Sequence, residues 1–201
     1  NLKNSDDKKI VTVEDPIEYS LEGIAQVQVD EAIDLTFGNA LRAITRQDLN
    51  VLMIGEIRDE ESAAMAVRAA LLGRLVISTI HTNDSLSSIN RLLDLKVPPY
   101  LLADTLRGVL SQRLVRRLCT ECQGAGCDTC GNSGTKGRVV VSECLEVSQP
   151  IAAAIADGQD IDAMRLAAVQ NGFSMLADEA EQLVGNGVVS KIEALSVVGG
   201  G

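Results

Sequence analysis

Tryptophan is missing from these 201 residues, and there are only two phenylalanines, two tyrosines and one histidine. With aromatics at 2%, the chain has little with which to build a stacking platform for single-stranded nucleic acid. It also lacks an excess of positive charge. Eighteen Lys and Arg stand against 28 Asp and Glu, for a formal charge of −10, which argues against nucleic-acid binding by bulk electrostatics. No apolar run is long enough to span a bilayer; residues 76–80 are strand-sized, with Arg74 just upstream. No stretch reads as a signal peptide, the cytoplasm is the expected compartment, and five cysteines fit it if most are metal ligands or free thiols. The remainder, 46% hydrophobic and 23% charged, suits one sizeable core with a small appendage. A start at Asn1 rather than Met reads as part of a longer protein.

The most informative stretch is Arg46-Gln-Asp-Leu-Asn-Val-Leu-Met-Ile-Gly-Glu-Ile-Arg-Asp59. Residues 51–54 are an apolar run of strand length that ends in Gly55 and Glu56. Open α/β sheets place their chemistry beyond the carboxyl ends of such strands, where a carboxylate can orient water or help hold Mg²⁺ at phosphates. The plain alternative is a buried strand running into an acidic turn.

Around it, residues 10–13 read as a strand stopped by Pro16, and 25–29 as a half-exposed strand. Thr36 caps a helix reaching about Arg46, with Phe37, Leu41 and Ile44 on one face and Arg42 and Arg46 on another. Asp59 caps a second helix with an apolar stripe of Ala63, Ala66, Val67, Ala70 and Leu71, closed by Gly73. Residues 75–80 form the next strand, and short links between strand, helix and strand imply a parallel sheet. Residues 85–95 and 100–118 read as helices separated by Pro98-Pro99. Residues 138–147 are strand-like and are expected to return to the main body. From Pro150 onward short helices break near Gly158, Gly172 and Gly185–Gly187, Ser190 and Glu193 form a capping box, and Gly199-Gly-Gly201 is expected to fray.

Four blocks carry chemistry: Thr12-Val-Glu-Asp-Pro-Ile-Glu-Tyr19, Thr45-Arg-Gln-Asp48, Ile54-Gly-Glu-Ile-Arg-Asp59 and Ser78-Thr-Ile-His-Thr-Asn-Asp84. Three of them follow strands and can converge on one sheet edge. A fifth feature is Cys119-x-x-Cys122 followed by Cys127-x-x-Cys130. Each pair can chelate through a tight turn, and four thiolates suit tetrahedral zinc; an iron–sulfur cluster or unligated thiols are the alternatives. Cys144 reads as a buried bystander. Arg113, Arg116 and Arg117 form a basic cluster on an acidic chain, either a solvated helix face or a contact with a neighbouring subunit.

Together these blocks resemble the acidic box, Walker B box and histidine box of the secretion ATPase superfamily, specifically its type II secretion and type IV pilus assembly branch. The resemblance spans essentially the whole chain, including Gln112-Arg-Leu-Val-Arg-Arg-Leu-Cys119, Gly137-Arg138, Glu143 and the helical tail. It implies an α/β, RecA-like P-loop NTPase core, present in part over residues 1–116. A tetracysteine zinc module over 117–138 and a strand return with a C-terminal helical subdomain over 139–201 complete it. It implies a homo-hexameric, ATP-, Mg²⁺- and Zn²⁺-dependent cytoplasmic motor, peripheral to the inner membrane through platform and anchoring proteins.

Glu56 then matches the residue that polarises the attacking water, and Glu14 and Asp15 match the acidic box near Mg²⁺. For these two a mere turn before Pro16 is the alternative. His81 matches a phosphate sensor, although a lone histidine is more often a satisfied core residue. Gly55 and Thr79 of the same boxes, with Arg46, are the expected nucleotide-binding positions. Arg46 and Arg58 are either structural partners of carboxylates or relays of nucleotide state.

The sequence departs from the family in three places. It has no Gly-x-x-x-x-Gly-Lys-Ser/Thr loop; Gly131-Asn-Ser-Gly-Thr-Lys-Gly137 has the wrong spacing and lies among the cysteines. The loop is expected upstream of Asn1, and the 201 residues alone are expected not to hydrolyse ATP. Leu49-Asn50 stands where Pro-Asp is usual, and the two cysteine pairs lie unusually close. A catalytically dead ring subunit or nucleotide sensor, and a DNA-uptake or conjugation motor, are the competing readings.

Overall fold

The computed structural model describes residues 8–198; the terminal glycines expected to fray lie outside them. In chain order the elements are strands β1 (Ile10–Glu14) and β2 (Ala25–Gln28), helix α1 (Phe37–Ile44), β3 (Val51–Ile54), α2 (Glu60–Leu71), β4 (Leu75–Ser78), α3 (Ser85–Asp94) and α4 (Pro99–Thr105). There follow the long strands β5 (Gly108–Leu118) and β6 (Thr135–Glu146), and four helices: α5 (Gln149–Ala156), α6 (Ile161–Gln170), α7 (Leu176–Gly185) and α8 (Lys191–Val198). The chain divides into two compact units. Among the described residues, the first comprises 8–81, Asn90–Leu106 and Ile155–Gly158; the second comprises Thr82–Ile89, Arg107–Ala154 and 159–198.

In the first unit the strands are parallel, in the order β2-β1-β3-β4. β1 and β3 are central and largely apolar, as strands of a parallel sheet covered by helices are, with the buried Thr12 as the polar exception in β1. Val11 and Val13 lie in register with Leu52 and Ile54. All four are buried in one core with Leu41 and Ile44 of α1 and Met65 and Ala66 of α2. Burying each large side chain contributes roughly 1.5–3 kcal/mol. Both caps read from the sequence are present. Thr36 Oγ1 accepts from Asn39 N, and Asp59 accepts from Ser62 N while the Ser62 hydroxyl accepts from Asp59 N. Arg42 of α1 pairs with Glu61 of α2 at 2.9 Å. β4 is an edge strand among the described residues, and Leu75 and Ile77 on it are about half exposed.

The second unit contains the two-stranded antiparallel ribbon β5–β6. Its core joins Val115 and Val141 to Leu176, Ala180, Val189 and Ala194. Three sequence expectations fail here. The helix expected over 100–118 ends at Thr105, and Gly108–Leu118 is β5, whose exposed and less exposed positions alternate over most of its length rather than recur every third or fourth residue. The strand expected over 138–147 exists and starts earlier, but it pairs with β5 and not with the parallel sheet. Cys144 is exposed, because Val141, Glu143 and Leu145 are the residues of β6 that face inward. The Ser190–Glu193 box is half formed. Glu193 N donates to Ser190 Oγ, while the Glu193 carboxylate accepts from Arg116 N instead of its own cap.

Candidate functional site

The order β2-β1-β3-β4 places a topological switch between β1 and β3: the chain leaves β1 towards β2 and leaves β3 towards β4. Ligands of open α/β sheets bind in the crevice outside the carboxyl ends at such a point. The residues there are Glu14 and Asp15 after β1, Gly55, Glu56 and Arg58 after β3, and Thr79 and His81 after β4. All seven are expected catalytic or binding positions, drawn from three separate blocks.

Gly55 lets the turns approach closely. Its N–H donates to Val13 O at 2.7 Å, and a Cβ there would come within 3.2 Å of the same oxygen. Thr79 ties the β3 and β4 turns together: its hydroxyl donates to Gly55 O at 2.6 Å, and its carbonyl accepts from Ile57 N at 2.9 Å.

On this frame Glu56 is held from two sides. Arg58 donates to Oε1, and His81 Nε2 lies 3.4 Å from Oε2. The hydrogen bond from Arg58 is the main reason its carboxyl lies below the ordinary glutamate range. Partial burial opposes that shift, and the charges of Arg58 and His81 add to it. Glu56 is therefore ionised near neutral pH, with its side chain only 18% exposed, while the His81 side chain is 90% exposed. Arg58 also lies 3.8 Å from Asp15, so it links the acidic box to Glu56. Arg46 is different. It is exposed beyond α1, and among the described residues no hydrogen bond or ion pair joins it to this cluster.

Two residues that the sequence reading missed orient Glu14. The buried Thr12 hydroxyl donates to Glu14 Oε1, and Gln26 of β2 donates to the same oxygen at 3.0 Å. The available signal was Thr12 itself, a polar residue inside an apolar central strand with a glutamate two residues later on the same face.

The four cysteines of the second unit form one cluster, with all Sγ atoms within 4.8 Å of one another. The pairs Cys119–Cys127, Cys122–Cys130 and Cys127–Cys130 are each separated by 3.8 Å. That is too long for a disulfide, and it matches the edge of a tetrahedron of sulfurs about 2.3 Å from a central zinc, about 3.8 Å. Backbone N–H groups of Gly126 and Gly134 donate to Cys122 and Cys130 at 3.3 Å each. Such bonds stabilise thiolates and orient ligands. Burial raises the Cys130 thiol, but N–H bonds from Cys127 and Gly134 bring it down to about 6. Gly134 is required by the packing: its φ is +72°, and a Cβ would lie 2.5 Å from Gly124 O. The donor set fits a soft tetrahedral divalent ion.

The arginines expected on a helix lie on β5 instead. Arg113 donates to Asn83 O at 2.6 Å, and Arg116 reaches Glu193 at 4.0 Å.

The family model described as type II/IV secretion system protein matches residues 1–196. The type II secretion system protein HxcR of Pseudomonas aeruginosa is 44% identical over 196 residues, covering 94% of this chain and 42% of that protein. The type IV pilus assembly ATPase PilB of Thermus thermophilus is 39% identical over 217 residues, covering 94% of this chain and 24% of that protein. The chain thus spans less than half the length of these relatives. Among solved structures, the pilus retraction motor PilT with bound ADP superposes with a TM-score of 0.76 at 28% identity, covering 94% of this chain and 52% of that one. The Legionella pneumophila ATPase DotB gives 0.73 at 22% identity, covering 96% and 52%, a likeness of fold.

Proposed function

The chain belongs to the type II/IV secretion system protein family, and on that premise we propose that it is part of an ATP-hydrolysing, Mg²⁺-dependent motor subunit. The motor works as a homo-hexamer and powers type IV pilus assembly or type II secretion. It acts from the cytoplasmic side on inner-membrane platform and anchoring proteins. No helix among the described residues is long and apolar enough to cross a membrane. We assign residues 1–116 to the ATPase core, 117–138 to a zinc module and 139–201 to a helical subdomain that begins with the second strand of the ribbon. The phosphate-cradling Gly-x-x-x-x-Gly-Lys-Ser/Thr loop is expected in the part of the protein that these residues do not span.

The observation that carries the reading is the state of Glu56. It is ionised, partly shielded and fixed by Arg58 and His81 on a rigid strand end at the switch point. Phosphoryl transfer depends on positioning and charge rather than on covalent catalysis. In this role Glu56 Oε2 accepts a hydrogen bond from the attacking water. Arg58 keeps the carboxylate charged and oriented, and the exposed His81 side chain contacts the phosphate. Glu14, aligned by Thr12 and Gln26, and Asp15 would hold Mg²⁺, which would supply charge neutralisation at the phosphates. The Cys119, Cys122, Cys127 and Cys130 thiolates would hold Zn²⁺ as a structural ion.

The test is Glu56→Gln in the complete protein. Loss of a water-orienting base lowers turnover roughly 10²- to 10⁴-fold, with ATP affinity retained. Turnover within twofold of the wild type would contradict the assignment.

A further inference from the structure

Gln26 does more at the sheet edge than donate one hydrogen bond to Glu14. It lies on β2 directly opposite Thr12 of β1, and Glu14 follows Thr12 by two residues on the same face. Its amide makes three hydrogen bonds. Nε2 donates to Glu14 Oε1 and to Tyr19 O, each at 3.0 Å, and Oε1 accepts from Leu21 N at 2.7 Å. These partners fix which way the amide faces. Turned over, it would set its oxygen against two acceptors and its NH₂ against an N–H.

On one side the amide selects an oxygen. Thr12 and Gln26 both donate to Glu14 Oε1, and among the described residues no hydrogen bond or ion pair takes Oε2, which is left to face an ion. On its other side the amide holds the link between β1 and β2, residues 15–24, which starts at Asp15 of the acidic box. No residue of this link is buried, and Tyr19 on it is 79% exposed. Glutamine amides of β2 grip its backbone instead of a core: Gln26 at Tyr19 and Leu21, and Gln28 at Ile17 N, 3.3 Å away. Gln26 therefore touches both the link and the carboxylate.

We infer that Gln26 is a positioning residue for Glu14 and couples it to the β1–β2 link: order in residues 17–22 and an ion held at Glu14 support each other through one amide. The inference rests on the ATPase reading, in which Glu14 faces Mg²⁺. Gln26→Leu removes all three bonds at a half-buried position of an edge strand. Thr12→Val is close in shape, removes the other donor to Oε1 and leaves the bonds to the link in place.

The test uses the complete protein with ADP, and Mn²⁺ as the probe ion, its binding read by electron paramagnetic resonance. Both variants should weaken Mn²⁺ binding roughly 10- to 100-fold, the cost of losing a hydrogen bond behind a metal-holding group. Coupling is reciprocal, which gives a readout that a merely structural role would not move. Adding saturating Mg²⁺ to the ADP-bound wild type should slow hydrogen exchange at the Leu21 amide about fivefold or more. In Gln26→Leu that response should vanish, and in Thr12→Val the Leu21 amide should stay protected. Leu21 exchange indifferent to Mg²⁺ in the wild type, or wild-type Mn²⁺ affinity in Gln26→Leu, would overturn the inference and leave the ATPase reading standing. A wild-type protein that binds no Mn²⁺ with ADP takes both down. Should Gln26→Leu fail to fold by circular dichroism, the Mg²⁺ response of Leu21 in the wild type and the Mn²⁺ affinity of Thr12→Val decide.

Discussion

The sheet edge around Glu56 and the turns around Cys119–Cys130 both hold reactive side chains on short loops, but they are held in opposite ways. Behind Glu56 stand Val13, Leu52 and Ile54, all fully buried, with α1 and α2 packed on them. Behind the cysteines there is almost no apolar interior. The module is glycine-rich, none of the turn residues 120–133 is buried, and its cohesion is four sulfurs and the N–H groups aimed at them. A hydrophobic core can present a carboxylate whether or not its ligand is bound. A segment this small needs a staple in place of a core. The first region is therefore expected to be indifferent to chelators and sensitive to core truncation, and the second the reverse.

The largest break in that comparison comes from metal removal. Structural zinc sites contribute about 10–16 kcal/mol of binding free energy that is also folding free energy. Chelation, or Cys119→Ser, should abolish amide protection across residues 119–134 in hydrogen exchange while β1 and β3 keep theirs. Native mass spectrometry should find one Zn²⁺ per chain. Unchanged protection, or an ion-free folded protein with four alkylatable thiols, would remove the staple from the account.

Leu52→Ala sharpens it from the other side. Truncating a fully buried leucine costs about 2–5 kcal/mol and should lower the urea midpoint of the sheet while leaving metal content at one per chain. A loss below about 1 kcal/mol would mean that the core is not what presents Glu56.

The smallest effect is electrostatic. Because the Glu56 carboxyl is depressed, chiefly by its hydrogen bond from Arg58, the pairing stabilises the fold above the ordinary carboxylate pKa of about 4.3. That contribution is lost as pH falls through the lower, folded-state value. Arg58→Ala should move the Glu56 titration upward by NMR and weaken the protein slightly at neutral pH, with little difference once the pH is below the folded-state value. An unmoved titration would show that Arg58 does not set the charge of Glu56.

These contrasts explain what the sequence could tell. The parallel sheet was legible because its elements are local and strongly patterned. β3 runs over Val51–Ile54 as expected, and both Thr36 and Asp59 cap helices where their spacing placed them. The ribbon was not, because β5 acquires its identity from β6, whose paired residues lie up to about 40 positions away (Gly108 opposite Glu146). Residues 108–118 carry leucines and valines at mixed spacing, so only the alternation imposed by pairing distinguishes them from a helix. The same pairing inverted the expectation for Cys144. A cysteine next to a glutamate looks like the inward residue, and a one-residue offset on a strand exchanges the two faces. The buried glutamate is tolerated only because two helix N-termini, 58 and 33 residues away in sequence, supply its hydrogen bonds. At the sheet edge, the motifs located Glu14, Asp15, Glu56, Arg58 and His81. They could not reveal that Thr12 and Gln26 aim Glu14, or that Arg46 stays apart.

The most direct test of the central claim is a crystal structure of the complete protein with Mg²⁺ and a non-hydrolysable ATP analogue. The account predicts the γ-phosphate and the ion at the carboxyl ends of β1 and β3, with a water between Glu56 and the phosphate, His81 on the phosphate, and Glu14 and Asp15 facing the ion's water shell. A nucleotide bound elsewhere, with the Glu56–Arg58–His81 cluster unchanged and remote from it, would contradict it.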